Sequence, residues 1–412
     1  MKEILNDIDS LEPLAIDLET GLCRYPAISP DSGGEGELDK CNFLETWLRK
    51  QGFTDLRRFD APDERAKGGV RPNLIATVEG SGPGGCLWLM SHIDVVPPGE
   101  ITLWTTDPWK AVVSEKNGKK CLTGRGVEDN QQGLVSSVIA ALALMRRGIK
   151  PKKTLKLLFI SDEENGSKYG IGWMMEAHPG LFNAGDAALV PDSGDEYGSS
   201  IEVAEKNIVW IKFTTHGKQA HGSRPDQGIN AHLAGADLAL SLHYGLSEKF
   251  GDHDPLFEPD YSTFQPTKRD GNVPNINTIP GEDSLCFDMR VLPRYPVDVV
   301  LKEVDRIKDE IQKKHNVTVD YTLSQSMESK PTPVDSPLIK CLARNIESVY
   351  GVKAKPVGIG GGTVAAFMRN RGMDAAVWCR INESAHQPNE YTLLEHILGD
   401  AKIMALMALD SF

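Results

Sequence analysis

Potential metal ligands gather in five short segments: Ser91-His92-Ile93-Asp94, Gly126-Val127-Glu128-Asp129, Asp162-Glu163-Glu164, Pro191-Asp192-Ser193 and Ala385-His386-Gln387-Pro388. They hold two histidines and several carboxylates but no cysteine, a donor set that suits zinc, manganese or cobalt. One carboxylate can bridge two ions about 3.5 to 4 Å apart. Taken singly the segments say little, because a His-x-Asp is usually a surface pair and an Asp-Glu-Glu run usually a solvated loop. Their placement says more. Four of the five directly follow an apolar, strand-like run, and the fifth, around Asp129, precedes an apolar helix. The carboxyl ends of strands are where open α/β sheets bind ligands, so side chains distant in sequence can converge on one cleft.

The elements that must position them follow from periodicity. Residues 11 to 52 read as a helix, a Pro/Ser/Gly loop from Pro26 to Gly36, and a second helix ending near Gly52. Apolar runs at Asn73 to Val78, Cys86 to Met90 and Leu155 to Ile160 alternate with helical segments such as Leu134 to Arg147, the signature of a mostly parallel sheet covered by helices. Near Asn207 the pattern changes. A strand (Ile208 to Thr215), a helix (Ile229 to Leu246), a weaker extended piece (Ser262 to Thr267) and a strand (Leu285 to Leu292) are followed by a helix with apolar Val300, Val304, Ile307 and Ile311 and a strand (Val317 to Leu323). That order is β-α-β-β-α-β, the ferredoxin-like arrangement. After Lys330-Pro331-Thr332-Pro333, α/β character returns through helix Ser336 to Tyr350, a Gly360-Gly361-Gly362 turn, helix Val364 to Asn370 and strand Ala375 to Trp378. The expected organisation is an α/β catalytic domain formed by residues 1–207 and 331–412, with an α+β domain of residues 208–330 inserted into it.

A chain of 412 residues exceeds the size at which a single core usually stops growing, which also favours two domains. The net charge of -13 argues against a nucleic-acid partner, since such binders concentrate Lys and Arg on one face. No stretch approaches a membrane span. The first residues, Met1-Lys2-Glu3-Ile4-Leu5-Asn6-Asp7, have no apolar h-region and no cleavage site, which argues against a secretory leader. Seven scattered cysteines without a C-x-x-C pair suit reduced thiols in a cytoplasm better than disulfides or a structural zinc knuckle.

With these segments in view, the sequence resembles the M20 metallopeptidase family, which includes acetylornithine deacetylase, succinyl-diaminopimelate desuccinylase, aminoacylase and glutamate carboxypeptidases. The resemblance runs over nearly the whole chain. Its anchors are Met90-Ser91-His92-Ile93-Asp94-Val95-Val96-Pro97, Gly124-Arg125-Gly126-Val127-Glu128-Asp129, Asp162-Glu163-Glu164-Asn165-Gly166-Ser167, His221-Gly222-Ser223-Arg224-Pro225 and His386-Gln387-Pro388-Asn389-Glu390-Tyr391. The inserted domain falls where the family has its lid.

The resemblance implies that Asp129 bridges two metals, with His92 and Asp192 completing one site and Glu164 and His386 the other. It implies that Asp94 sits behind His92, holding the second ring nitrogen, and that Glu163 is the general base. A carboxylate already bound to two positive ions is a poor base, so one glutamate must stay unligated. A cis peptide is implied after Asp129. His221, otherwise a plain loop histidine, becomes the group that stabilises the developing oxyanion, delivered from the neighbouring subunit of a lid-mediated homodimer. His216 is left as structural. Arg290 matches the lid arginine that binds the substrate carboxylate, accompanied by Asn277; the alternative for Arg290 is a surface salt bridge with Asp288. The Gly360-Gly361-Gly362-Thr363 turn opening a helix is a second candidate anion cradle through Gly362 and Thr363.

Two departures touch no ligand. Val364 stands where many members have Asp, and Asn130-Gln131-Gln132-Gly133 replaces the commoner Met-Lys-Gly-Gly. Both point away from the familiar biosynthetic substrates. The expected activity is cleavage of an N-acyl amino acid or dipeptide beside a free carboxylate, with two ions, zinc foremost and cobalt or manganese as alternatives. The rivals are a strict dipeptidase or aminopeptidase, which needs a group for the free amine, and a non-catalytic metal-dependent amino-acid binder. Intact Glu163 argues against the last, since a retired enzyme has no need of an unligated carboxylate beside a metal site.

Overall fold

The run Cys86-Leu87-Trp88-Leu89-Met90-Ser91-His92 is apolar at successive positions, so as a strand it has to be covered on both faces. In the computed structural model, which describes residues 2–82, 84–410 and 412, it forms the strand Cys86–His92 and is buried from Leu87 onward. It pairs in parallel with Thr154–Ile160 on one side and Ala187–Asp195 on the other, and Ala187–Asp195 pairs in parallel with Asp374–Arg380. Antiparallel strands Val70–Val78 and Asp55–Pro62 extend the edge beyond Thr154–Ile160. Ser200–Glu205 and Lys355–Ile359 complete the eight strands. The sheet is thus parallel at its centre, where the sequence reading placed its mostly parallel sheet, and antiparallel at its flanks. Helix Gln131–Arg146 is buried at every residue from Gln131 to Leu144 and packs on helix Leu394–Leu409, itself almost wholly buried. A helix apolar all round belongs in the middle of a large core.

Contacts divide the chain into two units. The first takes in the chain up to Val203, Thr332–Pro356 and the chain from Phe367 on; the second is Ala204–Pro331 with Val357–Ala366. These bounds lie within a few residues of the expected 207/208 and 330/331, whereas 357–366, expected in the catalytic part, belongs to the second unit.

In the second unit, strands Asn207–His216, Thr263–Gly271, Glu282–Val291 and Thr318–Met327 form an antiparallel sheet in the spatial order Thr263–Gly271, Glu282–Val291, Asn207–His216, Thr318–Met327. Helices Ala231–Lys249 and Val297–His315 complete the β-α-β-β-α-β order. Along Glu282–Val291 the residues Asp283, Leu285, Phe287, Met289 and Val291 are buried in alternation, and Val297, Val300, Val304, Ile307 and Ile311 of the helix join the same core. Strand Thr318–Met327 runs past the expected end at Leu323 because its polar tail still pairs with Asn207–His216, across an irregularity between Leu323 and Gln325. Among the described residues no helix is long and apolar enough to cross a membrane.

Candidate metal centre

His92 ends its central strand, and Glu163 and Glu164 lie in the turn after strand Thr154–Ile160. Asp192 lies in Ala187–Asp195, His386 follows strand Asp374–Arg380, and Asp129 directly precedes the buried helix Gln131–Arg146. The fold brings these ends together within the first unit. His92 Nε2 lies 2.9 Å from Asp129 Oδ1 and 3.4 Å from Asp192 Oδ1. His386 Nε2 lies 2.9 Å from Asp129 Oδ2 and 3.2 Å from Glu164 Oε1. Asp129 therefore offers one oxygen to each of two ligand groups, His92-Asp129-Asp192 and Asp129-Glu164-His386, whose donor atoms within each group all lie within 4.8 Å of one another.

The electrostatics ask for positive charge. Burial works against ionised Asp129, yet hydrogen bonds from His386 and His92 hold it below the usual carboxylate range. Hydrogen bonds to Asp129 and Glu164 raise His386 to about 10. Burial opposes a charge on His92, but Asp192 and Asp129 outweigh it and lift the ring well above the ordinary histidine value. Burial and the charge of Asp192 push Glu163 well up. Carboxylates crowded in low dielectric each raise the cost of ionising the next. A pair of divalent cations relieves that crowding, and the nitrogen and oxygen donors suit zinc, cobalt or manganese.

The supports of the ligands are backbone contacts more than side-chain ones. His92 Nδ1 lies 3.0 Å from the Asp94 carbonyl oxygen, whereas the Asp94 carboxylate is 3.5 Å away. That carboxylate instead accepts the backbone N–H groups of Glu163 and Glu164, each at 3.1 Å. Asp94 thus ties the histidine strand end to the glutamate turn, a use beyond the one the family resemblance implies for it. The turn has a second anchor in Asp162, which has φ of +65°. Its carboxylate accepts from Tyr169 N at 3.0 Å and lies 3.2 Å from buried Arg71, which also pairs with Glu37. The Asp129–Asn130 peptide is cis. Asn130 Nδ2 donates to the Pro191 carbonyl at 2.7 Å and to Asp192 Oδ1 at 2.5 Å, so the departure at position 130 supports a candidate ligand.

Two buried carboxylates beside the centre have no role in the sequence reading. Glu390 accepts from Arg125 Nη1 at 2.5 Å and from the backbone N–H groups of Gly126, Glu128 and Asp129 at 3.0, 2.9 and 3.0 Å. Glu128 accepts from Asn382 N, from Ser384 N at 2.5 Å and from Ser384 Oγ at 2.6 Å. Both residues stand inside the anchor motifs; a glutamate that accepts backbone donors leaves no spacing signal of its own.

The remaining candidates lie in the second unit. His221 is exposed, in a two-residue strand opposite Thr278. Its Nδ1 lies 2.8 Å from Ser223 Oγ and 3.2 Å from Ser223 N, with Nε2 making neither contact. Asn277 is adjacent, its carbonyl accepting from Gly222 N at 2.7 Å. Arg290 forks onto Asp288 at 2.6 and 3.1 Å, the salt bridge weighed for it, and also donates to the Gly360 carbonyl at 2.8 Å. The structure therefore joins Arg290 to the Gly-rich turn. That turn opens a helix of only six residues, Ala365–Asn370, too short for the dipole on which an anion cradle relies. Thr363 Oγ1 donates to Glu205 at 2.7 Å.

Over residues 88–410 the sequence matches the model of peptidase family M20/M25/M40. The chain belongs to this family. An uncharacterised metallohydrolase of Methanocaldococcus jannaschii is 38% identical over 94% of this chain and 97% of that protein. The succinyl-diaminopimelate desuccinylase of Wolinella succinogenes is 28% identical over 93% and 96%. Among solved structures, the di-peptidase Dug1p of Saccharomyces cerevisiae shares the fold, with a TM-score of 0.73 at 18% identity over 99% of this chain and 98% of that one. The chain is thus an M20 metallohydrolase, an enzyme of amide or peptide bonds, and the catalytic-plus-lid architecture expected from the sequence is the one found.

Proposed function

We propose that this M20 metallohydrolase uses two divalent ions, zinc foremost, to cleave the amide bond of an N-acyl amino acid or short peptide beside its free carboxylate. The observation that carries the two-ion reading is Asp129, which turns one oxygen to each of two ligand groups. His92 and Asp192 would hold one ion with Asp129, and Glu164 and His386 the other. When bound, such ions polarise a carbonyl and make water acidic enough to attack near neutral pH.

The chain's own residues supply the rest. Glu163 belongs to neither ligand group and so stays free to act as a base; it accepts the proton of the attacking water and passes it to the leaving nitrogen. His221 presents its Nε2 proton to the oxygen on which negative charge develops. In this reading it does so across a homodimer formed by the lid units. Arg290, whose guanidinium keeps N–H groups beyond those given to Asp288 and Gly360, takes the substrate carboxylate, while Asn277, toward the other end of strand Glu282–Val291 and beside His221, acts with that histidine. Val364, buried, offers no acceptor for a free α-amine, which favours a deacylase over a strict aminopeptidase.

The test is a mass-spectrometric screen of zinc- and cobalt-loaded protein against N-acetyl and N-succinyl amino acids, dipeptides and the C-terminal amides of each. The expected result is cleavage of free acids, with the amides at least about tenfold slower through loss of a charged hydrogen bond. Cleavage of no compound, or of acids and amides alike, would overturn the reading.

A further inference from the structure

Asp129 and His386 come from loops far apart in the chain, and each loop sends a buried glutamate to hold the other. Glu390, four residues beyond His386, takes three backbone N–H groups of the Gly126 to Asp129 stretch and the Arg125 guanidinium. Glu128, beside Asp129, takes Asn382 N and both the amide and the hydroxyl of Ser384, just ahead of His386. Ser384 in turn closes the His386 loop: its Oγ, whose single proton goes to Glu128, accepts from Tyr391 N at 3.0 Å. We infer that Glu128 and Glu390 form a reciprocal clasp that sets the spacing of Asp129 and His386, and with it the affinity of the ion held by Asp129, Glu164 and His386. The inference rests on the two-ion reading.

Three observations give the clasp its direction. Glu128 is 5% exposed and Glu390 fully buried, so water replaces their bonds only if the loops part, and hydrogen bonds to a carboxylate are the strong kind. The loop they hold contains Glu383, His386 and Asn389 at φ of +56°, +62° and +62°. Non-glycine residues keep such backbone only where their surroundings over-determine it. The His92-Asp129-Asp192 group has supports of its own, the Asp94 carbonyl on His92 and Asn130 on Asp192, and neither runs through Glu128. Loosening the clasp at Glu128 therefore weakens one ion more than the other. Both glutamates are positioning residues that act through the ligands.

The test titrates Co2+ into metal-free wild-type protein and into Glu128→Ala and Glu128→Gln. Calorimetry gives affinities, and the shifted imidazole proton resonances, assigned by their loss in His92→Ala and His386→Ala, report each site separately. Outer-shell changes typically cost about 10 to 100-fold in metal affinity. Wild type should bind two ions, and Glu128→Ala should bind the His386 ion at least about tenfold more weakly with the His92 ion unchanged. Glu128→Gln, which keeps the length and one acceptor oxygen, should fall between them; it carries the test if circular dichroism shows Glu128→Ala unfolded. Wild-type affinity at both sites, equal weakening of both, or selective loss of the His92 ion would overturn the clasp while leaving the two-ion reading intact. Fewer than two ions in wild type would overturn both.

Discussion

Replacing Glu163 with glutamine should lower turnover by at least about a hundredfold, the usual scale for general acid–base catalysis, while metal content stays at the wild-type value. The two effects separate because Glu163 has no place in either ligand group while its neighbour Glu164 lies 3.2 Å from His386 Nε2. Glutamine keeps the size of the side chain and removes its capacity to accept a proton at neutral pH. The contact from Asp94 to position 163 is to the backbone N–H, which the substitution leaves in place, so the turn holding Glu164 should be undisturbed. Elemental analysis and steady-state kinetics on the same preparation check both halves. Loss of metal in Glu163→Gln would mean that the roles of Glu163 and Glu164 are exchanged.

His221→Ala should cost about a hundredfold or more, the scale of one lost oxyanion donor, again without loss of metal, since His221 lies in the second unit and every candidate ligand in the first. If His221 serves the partner's centre, mixing inactive His221→Ala chains with inactive Glu163→Gln chains restores activity. Each hybrid dimer then has one centre with both groups intact. With free exchange, half the dimers are hybrids and half their centres work, so recovery approaches about a quarter of the wild-type rate for a symmetric dimer. Native mass spectrometry shows whether exchange has occurred. Hybrids without recovered activity would mean that His221 acts within its own chain or is not catalytic.

The convergence of the candidate ligand segments was legible because two strong signals coincide in most of them, an apolar run buried on both faces and a polar residue at its carboxyl end, as in Leu87 to His92. The lid order was legible because its two helices and its inner strand residues keep clean periods. Strand Asp55–Pro62 was not. Its Arg57, Arg58 and Asp60 belong to an edge strand with little burial, and charges on an edge guard against unwanted pairing while hiding the strand from a reading of apolar runs. Nor was the attachment of residues 357–366 to the second unit. It depends on Lys206 N donating to the Ile359 carbonyl, on Arg290 reaching Gly360 and on Phe257 lying so close to Gly358 that a Cβ there would meet its ring at 2.5 Å. Those contacts join positions some 70 to 150 residues apart, which no local pattern records. Asp94 shows the same limit on a smaller scale: the family resemblance implies a partner for the His92 ring, and the carboxylate holds the backbone N–H groups of Glu163 and Glu164.

The central claim is that one carboxylate joins two metal sites, and counting ions tests it most directly. Metal-free protein loaded with zinc, freed of excess and measured by inductively coupled plasma mass spectrometry should hold two ions per chain, one for each ligand group that Asp129 shares. Asp129→Ala should lose both together, because no other residue belongs to the two groups. One ion or none in the wild type, or an Asp129→Ala protein that keeps either ion at full occupancy, would contradict the account.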